Sequence, residues 1–248
     1  MSYSIILPTF NEKNHITDLI KAISNIFISR NISYEILIVD DNSTDGTKEK
    51  VNEFAINNKY LKLILRKNKK RNLADSINDG IKKSMYNNII WMDADFQHPP
   101  KYISRLIDLS SMQDVVICSR FLKESKRYFN EENFAKDINE NQSQFYNKFC
   151  KFFLYKDITD YTSGYIFIKK NFITNYNLIG FYGDYFVNLI CYLKNKKVKI
   201  NEIAFKDGPR ASGTSKTLVN INFKYSYLCL RYFLTFIKNL LIKNFSLY

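Results

Sequence analysis

The sequence predicts a mixed α/β domain built on a largely parallel, doubly wound sheet with helices on both faces. Short β-rich runs alternate with amphipathic helical patterns through the first half of the chain, and this alternation is typical of βαβ units. Runs such as residues 36–39 (ILIV) are continuously apolar, which indicates strands covered on both faces. The 248 residues, 46% of them apolar and 16% aromatic, suit one domain of ordinary size with a sizeable core.

Five strands are predicted in the first half and two in the second. They cover Ser4 to Leu7, Glu35 to Val39, Lys62 to Leu65, Ile89 to Met92, Asp114 to Cys118, Tyr165 to Ile168 and Lys199 to Phe205. The segment from Phe121 to Asn141 loses apolar periodicity and predicts a long mobile loop, of the kind that often forms a lid. Helices are then predicted from Ser143 to Leu154 and from Asp184 to Leu193.

The segment from Asn220 to Tyr248 predicts an amphipathic helix. Lys224, Arg231, Thr235 and Lys238 recur there at helical spacing among aromatic and aliphatic residues. Arg231 and Lys238 interrupt the apolar stretch well short of the roughly 20 residues that span a bilayer. We therefore expect a helix in the membrane interface, with its Lys and Arg side chains at phosphate headgroups. Packing of this helix on the domain or on another chain is the alternative.

The formal charge of +13 predicts an anionic partner, which charge alone does not identify among nucleic acid, a phosphate-rich ligand and an acidic membrane face. A solvated surface is the alternative explanation of much of this excess. The basic run from Arg66 to Arg71 is expected to face either anionic lipid or solvent. The four cysteines lie far apart in the sequence, which predicts neither a zinc cage nor a disulfide framework and favours a reducing compartment. The first residues lack the features of a signal peptide, so a cytosolic location is expected.

Residues 93–97 (DADFQ) form the most specific chemical pattern. Asp93 and Asp95, followed by the Gln97 amide at a strand end, offer convergent oxygen ligands. Hard Mg²⁺ or Mn²⁺ favours such ligands and also bridges diphosphate oxygens, whereas a solvated acidic turn is the alternative. His98 is expected to be a turn residue and not a ligand.

A second polar pattern follows the second predicted strand. Asp40 and Asp41 close that strand, and turn-forming residues lead through Gly46 into a helix. The amino end of this helix is able to meet a nucleotide, and a capped βα turn without a ligand is the other interpretation of the same pattern.

These motifs, together with several others, resemble family 2 glycosyltransferases of the GT-A fold, in the dolichyl or polyprenyl phosphate mannosyltransferase and glucosyltransferase branch. Residues 6–12 (ILPTFNE) resemble that family's PTYNE motif, residues 38–47 (IVDDNSTDGT) its VDDGSxDGT motif, and residues 92–100 (MDADFQHPP) its DADLQHPP stretch. Residues 118–121 (CSRF), 162–165 (TSGY) and 210–216 (RASGTSK) resemble its SRY, TSGF and RxxGxSK motifs.

The resemblance implies roles for particular residues. Asp95 and Gln97 would hold Mg²⁺ or Mn²⁺, Arg120 and Ser143 would bind an acceptor phosphate, and Arg210 and Lys216 would close over the donor diphosphate. The donor nucleotide would contact Pro8, Thr9, Asn11, Glu12, Asp40, Asp41, Ser43, Asp93 and Ala94.

The implied activity is inverting transfer of one hexose from GDP-mannose or UDP-glucose to a polyprenyl or dolichyl phosphate at the cytoplasmic membrane face. Residues 1–217 would form the catalytic domain, and residues 218–248 a peripheral membrane helix that also offers contact with a membrane protein or a second copy. Asn139 and Glu140 stand where that branch has a second acceptor arginine, which leaves a glycan acceptor as an alternative. A non-catalytic binding module has only the net charge in its favour, and no nucleic-acid partner is expected.

Overall fold

Seven strands form one sheet through the middle of the molecule. They are β1 (Ser2–Thr9), β2 (Ser33–Asp40), β3 (Leu61–Leu65), β4 (Asn88–Trp91), β5 (Val115–Ser119), β6 (Ile166–Lys169) and β7 (Asn201–Ala204), in the order β3-β2-β1-β4-β6-β5-β7. The structure is a computed structural model that describes residues 1–67, 69–126, 138–180, 182–208 and 223–245, with the backbone alone for residues 126, 138–143, 223–229 and 245.

The sheet is mostly parallel, as predicted. β1 pairs in parallel with β2 and with β4, β2 with β3, and β5 with β7. β6 runs antiparallel between β4 and β5. The carboxyl ends of the other six strands therefore meet at one edge of the sheet, where ligands of open α/β sheets bind.

Helices cover both faces of the sheet. They are α1 (Ile16–Ser29), α2 (Thr47–Ala55), α3 (Leu73–Lys83), α4 (Tyr102–Leu109), α5 (Lys123–Lys126), α6 (Ile138–Phe153), α7 (Asp184–Asn195) and α8 (Phe223–Phe245). Two of them correct the predicted loop, because α5 lies inside it and α6 begins at Ile138, before the expected start at Ser143. The first turn of α6 carries few apolar residues, so periodicity alone gave no signal there; residues 127–137 lie outside the described residues.

Two hydrophobic cores lie on opposite faces of the sheet, because successive side chains of a strand point to opposite sides. Along β1, Ile5 belongs to the core under α1 and α4. Its neighbour Ile6 belongs to the core under α3 and α7. This double burial explains why the strands read as continuous apolar runs.

Helix α3 approaches β1 closely at Gly80. A Cβ atom at this position would lie 2.5 Å from Cγ2 of Ile6, which is inside van der Waals contact. Glycine is therefore required here by packing and not by backbone conformation.

Helix α8 packs on the body of the protein through its polar positions. Arg231 Nη2 donates to the buried Asp184 at 2.9 Å, Asn239 Nδ2 donates to Asn188 at 2.8 Å, and Phe236 is buried. This corrects the expectation for Arg231, which faces α7 instead of headgroups. Among the α8 side chains that the structure describes, five apolar ones are exposed on the outer face: Leu230, Phe233, Leu234, Leu241 and Ile242. Among the described residues, no helix has the length and hydropathy needed to cross a bilayer.

The cysteines whose side chains are described are free and buried, at positions 118, 150 and 191. Burial raises the pKa of Cys150 and that of Cys191 to about 12. These three thiols behave as core residues and not as nucleophiles or metal ligands.

Candidate active site

The ends of β1 and β2 meet at the carboxyl edge of the sheet. Thr9 pairs with Asp40 in the strand register, and the backbone N–H of Asp41 donates to Thr9 O at 2.9 Å. Asn11 adopts φ 56°, and its Oδ1 accepts from the backbone N–H of Thr44 at 2.9 Å. The structure thus brings together the two predicted nucleotide-binding segments.

The carboxylates of Asp40 and Asp41 are directed into the protein. Asp40 is fully buried and accepts from the backbone N–H of Ser43 at 2.8 Å and from the Ser43 hydroxyl. Asp41 accepts from the backbone N–H of Asn72 at 2.8 Å and from Arg66 at 2.6 Å. Burial raises the pKa of Asp41, although these donors act in the opposite direction. Both acids shape the turn, and their contact with a nucleotide stays a prediction.

Arg66 corrects the interpretation of the basic run, because only 3% of its side chain is exposed. Besides Asp41, its guanidinium donates to Asp79 at 3.0 Å and to Ser76 Oγ at 3.0 Å. Arg66 therefore joins β3 to α3 and to the end of β2, whereas Lys69 and Arg71 in the same run are exposed.

The remaining predicted donor residues line the same edge. Glu12 is buried, its backbone N–H donates to Thr47 Oγ1 at 2.9 Å, and its carboxylate lies 2.8 Å from His15 Nε2. The Thr9 hydroxyl donates to Leu7 O at 2.9 Å. Pro8 is half-buried beside them.

The DADFQ turn follows β4 at the centre of this edge. Asp95 is buried, and its Oδ1 accepts from the backbone N–H of Gln97 at 3.0 Å. Phe96 takes φ 66°, a left-handed conformation that an aromatic residue rarely adopts. Ala94 is buried, and the Asp93 side chain is 48% exposed.

His98 holds this turn in shape. Its Nδ1 accepts from the backbone N–H of Asp93 at 2.9 Å, and its ring stacks on Tyr165 at 5.0 Å between centroids. Burial lowers the pKa of His98, which favours the neutral ring that this acceptor role requires. The prediction that His98 is a turn residue agrees with these contacts.

The donor set of the turn fits a hard divalent cation. Asp93, Asp95 and Gln97 lie in the turn that follows β4, and carboxylate and amide oxygens are the ligands that Mg²⁺ and Mn²⁺ favour. Within the described ranges, no group of three or more His, Cys, Asp or Glu residues has a metal-binding arrangement.

Arg120 follows β5 at the same edge and is anchored by a buried acid that sequence reasoning missed. Its Nε and Nη2 donate to the two oxygens of Asp160 at 2.8 and 2.9 Å, and Nη2 also donates to Thr162 Oγ1 at 2.8 Å. Burial alone would lower the pKa of Arg120, but the charge of fully buried Asp160 raises it. Two of the N–H groups of Arg120, the residue that the resemblance assigns to the acceptor phosphate, are therefore used on Asp160, and Nη1 lies 3.9 Å from Asp207.

Asp207 and Gly208 connect Arg120 with the DADFQ turn, and nothing in the sequence singled them out. The backbone N–H of Gly208 donates to Gln97 O at 2.9 Å. A Cβ atom on Gly208 would lie 2.6 Å from Phe96 O, so the backbone after β7 packs directly on the turn. Asp160 had a signal, because it stands two residues before the TSGY motif.

Three predicted site residues lie wholly or partly outside the described residues. Ser143 lies in α6, but its side chain is outside the described residues, as are Arg210 and Lys216 entirely. One turn after Ser143, Asn147 Nδ2 donates to Thr162 Oγ1 at 2.9 Å, and its Oδ1 accepts from the backbone N–H of Tyr161. Helix α6 is thereby joined to the segment that anchors Arg120.

The sheet order, the acidic turn after β4 and the adjoining β1 and β2 turns define a transferase of the GT-A type. The profile described as glycosyl transferase family 2 matches residues 4–176, and the chain belongs to that family.

The chain is similar to dolichol-phosphate mannosyltransferases. It is 32% identical over 238 residues to the one from Pyrococcus furiosus, covering 91% of this chain and 62% of that protein. It is 34% identical over 125 residues to the one from Mycosarcoma maydis, covering 48% of this chain and 42% of that protein. The chain thus spans less than two thirds of the length of these relatives.

Solved structures share the fold at low identity. A glucosyl-3-phosphoglycerate synthase from Mycobacterium tuberculosis, in complex with Mn²⁺, UDP and glucosyl-3-phosphoglycerate, superposes with a TM-score of 0.68 at 13% identity, covering 98% of this chain and 79% of that chain. The same synthase has also been solved with Mg²⁺ and UDP. A mannosyl-3-phosphoglycerate synthase from Rubrobacter xylanophilus has a TM-score of 0.65 at 12% identity, covering 97% and 73% of the two chains.

Proposed function

We propose that this chain transfers a single hexose from a nucleotide-diphosphate sugar to a polyprenyl or dolichyl phosphate, with inversion, at the cytoplasmic face of a membrane. The observation that carries the proposal is the placement of Arg120 beside the DADFQ turn. Gly208 bonds to that turn, and its neighbour Asp207 lies 3.9 Å from Arg120. The guanidinium of Arg120, which would bind the acceptor phosphate, therefore lies at the same edge as the candidate donor site. Similarity to dolichol-phosphate mannosyltransferases supports the same acceptor class.

The donor nucleotide would bind at the ends of β1 and β2. Asn11 and Ser43 hold these two turns together through the hydrogen bond from the Asn11 backbone N–H to Ser43 Oγ at 2.8 Å. The donor would be GDP-mannose or UDP-glucose, as the family resemblance implies. The diphosphate would extend from these turns toward Asp93 and Asp95 at the end of the adjacent strand β4.

Asp95 and Gln97 would hold Mg²⁺ or Mn²⁺. Such a cation, when bound, supplies Lewis-acid stabilisation of the negative charge that develops on the departing nucleoside diphosphate. His98 and the Gly208 backbone keep the turn in the shape that presents these oxygens. Arg210 and Lys216 would add positive charge over the same diphosphate.

The acceptor phosphate would bind at Arg120 and Ser143. A phosphate monoester has its second pKa near 6, so its oxygen is anionic at neutral pH and needs no strong general base. The protein must instead hold it by charge and hydrogen bonds. Because Nε and Nη2 of Arg120 are used on Asp160, the Nη1 edge, which lies 3.9 Å from Asp207, would be the one offered to the acceptor.

The apolar outer face of α8 supports a membrane-bound acceptor. A surface helix normally turns its apolar residues inward, but here Phe233 and Leu234 are more than half exposed while Arg231 and Asn239 face the protein. We infer that this face lies in the headgroup region of an anionic bilayer, where a lipid-linked acceptor is available.

The test is organic-phase extraction of radiolabel after incubation with polyprenyl phosphate, Mn²⁺ and a panel of labelled sugar nucleotides. We expect Asp95→Ala, or excess chelator, to abolish transfer because the developing charge on the leaving group loses its stabilisation. Arg120→Ala is expected to raise the KM for the lipid phosphate. Arg105→Ala, a change at an exposed arginine on α4, serves as the control.

Two results would contradict the proposal. Full transfer by the Asp95→Ala variant would remove the cation from the mechanism. Label that stays in the aqueous phase on an added glycan, with none on the lipid, would favour the glycan acceptor that the replaced second arginine leaves open.

A further inference from the structure

Glu202 lies on β7 behind Arg120, and neither a motif nor an expected role includes it. Its position in the register pairs it with Ile117 of β5, three residues before Arg120. Its side chain reaches across to the segment between α6 and β6, which carries Asp160. This placement connects Glu202 to the candidate acceptor site.

The Glu202 carboxylate accepts four hydrogen bonds from two consecutive residues. The backbone N–H of Thr159 donates to both oxygens at 2.9 and 3.1 Å, the Thr159 hydroxyl donates at 2.9 Å, and the backbone N–H of Asp160 donates at 3.1 Å. Thr159 Oγ1 also lies 2.6 Å from Ser119 Oγ, on the residue before Arg120. Glu202 therefore fixes the backbone that aims Asp160.

Asp160 in turn fixes the guanidinium. It accepts from Nε, from Nη2 and from the backbone N–H of Arg120, the last at 3.1 Å. Two planar hydrogen bonds hold an arginine side chain in one orientation, which a single bond does not. A shift of the Thr159–Asp160 turn would therefore rotate the guanidinium and move its Nη1 edge.

We propose that Glu202 is a positioning residue for acceptor binding, which acts through Thr159 and Asp160 to keep the Arg120 guanidinium aimed at the lipid phosphate. This inference rests on the proposed function for its consequence in catalysis. The structural role, in which Glu202 restricts the orientation of Arg120, depends only on the hydrogen bonds described above.

Two measurements on the full chain separate these parts. In the first, the Nε–H signal of Arg120 is followed by NMR in protein labelled with ¹⁵N-arginine and identified by its loss in Arg120→Lys. Glu202→Ala is expected to speed solvent exchange of this proton by about tenfold, the change that corresponds to about 1.4 kcal/mol of lost protection. Glu202→Gln, which keeps one carbonyl oxygen, should give a smaller change.

The matched control is Glu35→Ala. Glu35 is also a carboxylate with several donors, from Ser4, Met85 and Lys62, but it lies near the start of β2, far from the carboxyl edge. We expect it to lower thermal stability without changing the Arg120 signal. An Arg120 signal that is unchanged in Glu202→Ala, or equally changed in Glu35→Ala, would overturn the positioning role.

In the second measurement, Glu202→Ala is expected to raise the KM for polyprenyl phosphate about tenfold while kcat and the KM for the sugar nucleotide stay within about twofold of the original values. Equal changes in both KM values would overturn the assignment to the acceptor. If the unaltered protein transfers nothing to polyprenyl phosphate, the proposed function fails, and the NMR result still decides whether Glu202 positions Arg120.

Discussion

At the scale of single residues, the site is supported by charges that are buried and paired. Arg66 is 3% exposed and is bonded to Asp41, Asp79 and Ser76, and Asp160 is fully buried against Arg120. Removing one member of such a pair leaves its partner as an uncompensated charge at a buried or partly buried position. Substitutions here therefore affect folding as well as any ligand.

We expect Arg66→Ala to lower the free energy of unfolding by about 3–5 kcal/mol, because Asp41 and Asp79 lose their buried counter-charge. Denaturant-induced unfolding measures this change. The control Arg105→Ala should stay within about 0.5 kcal/mol, as is usual for exposed positions. A similar small effect for both variants would show that Arg66 is solvated, which is one of the two alternatives that the sequence left open for the basic run.

At the scale of elements, helix α3 is positioned by its close contact with β1. Gly80 allows this approach, because a Cβ atom there would meet Ile6 at 2.5 Å. The contact holds α3, whose Asn72 side chain caps the helix at Asp75 N, against the end of β2 where the candidate donor site begins.

Gly80→Ala is expected to destabilise the protein by about 1–3 kcal/mol through overpacking. Replacing an exposed helical glycine by alanine would have the opposite effect and raise the free energy of unfolding by about 0.5–1 kcal/mol. Thermal unfolding of the single variants and of the Ile6→Ala, Gly80→Ala double variant checks this. The double variant should lose less stability than the sum of the losses in the two single variants. Strict additivity of these losses would show that the two residues are not in contact.

At the scale of the whole molecule, the net charge of +13 and the apolar face of α8 both support the proposed binding to an anionic membrane. Basic residues favour an anionic surface, and exposed aromatic and aliphatic side chains add burial in the headgroup region. The ion pair of Arg231 with Asp184 and the hydrogen bond of Asn239 with Asn188 keep that face turned away from the body.

We expect the protein to co-sediment with vesicles that contain phosphatidylglycerol, and less so as ionic strength rises. Changing Phe233 and Leu234 together to Asp should reduce binding at least about tenfold, since two apolar contacts are lost and negative charge is added. The control is Ile56→Asp, at a residue that is 79% exposed just after α2. Equal loss in both variants, or self-association through α8 without vesicle binding, would contradict this prediction.

The sequence by itself determined the strands and the place of the candidate site. Apolar runs and polar strand ends are local patterns, and parallel strands bring their carboxyl ends to one edge, so Asp40 and Asp93 could be assigned to that edge beforehand. Arg120 was expected at the site only through the family resemblance. The antiparallel direction of β6 and the polar first turn of α6 had no comparable local signal.

Only the tertiary structure decided which charged side chains form buried pairs within the fold and which lie at the carboxyl edge of the sheet. The bond from Arg66 to Asp41 joins residues 25 apart, that from Arg120 to Asp160 joins residues 40 apart, and that from Thr159 to Glu202 joins residues 43 apart. The orientation of α8 likewise depends on Asp184 of a distant helix. Such pairings are fixed by the packing of separate elements, which no periodicity within one segment records.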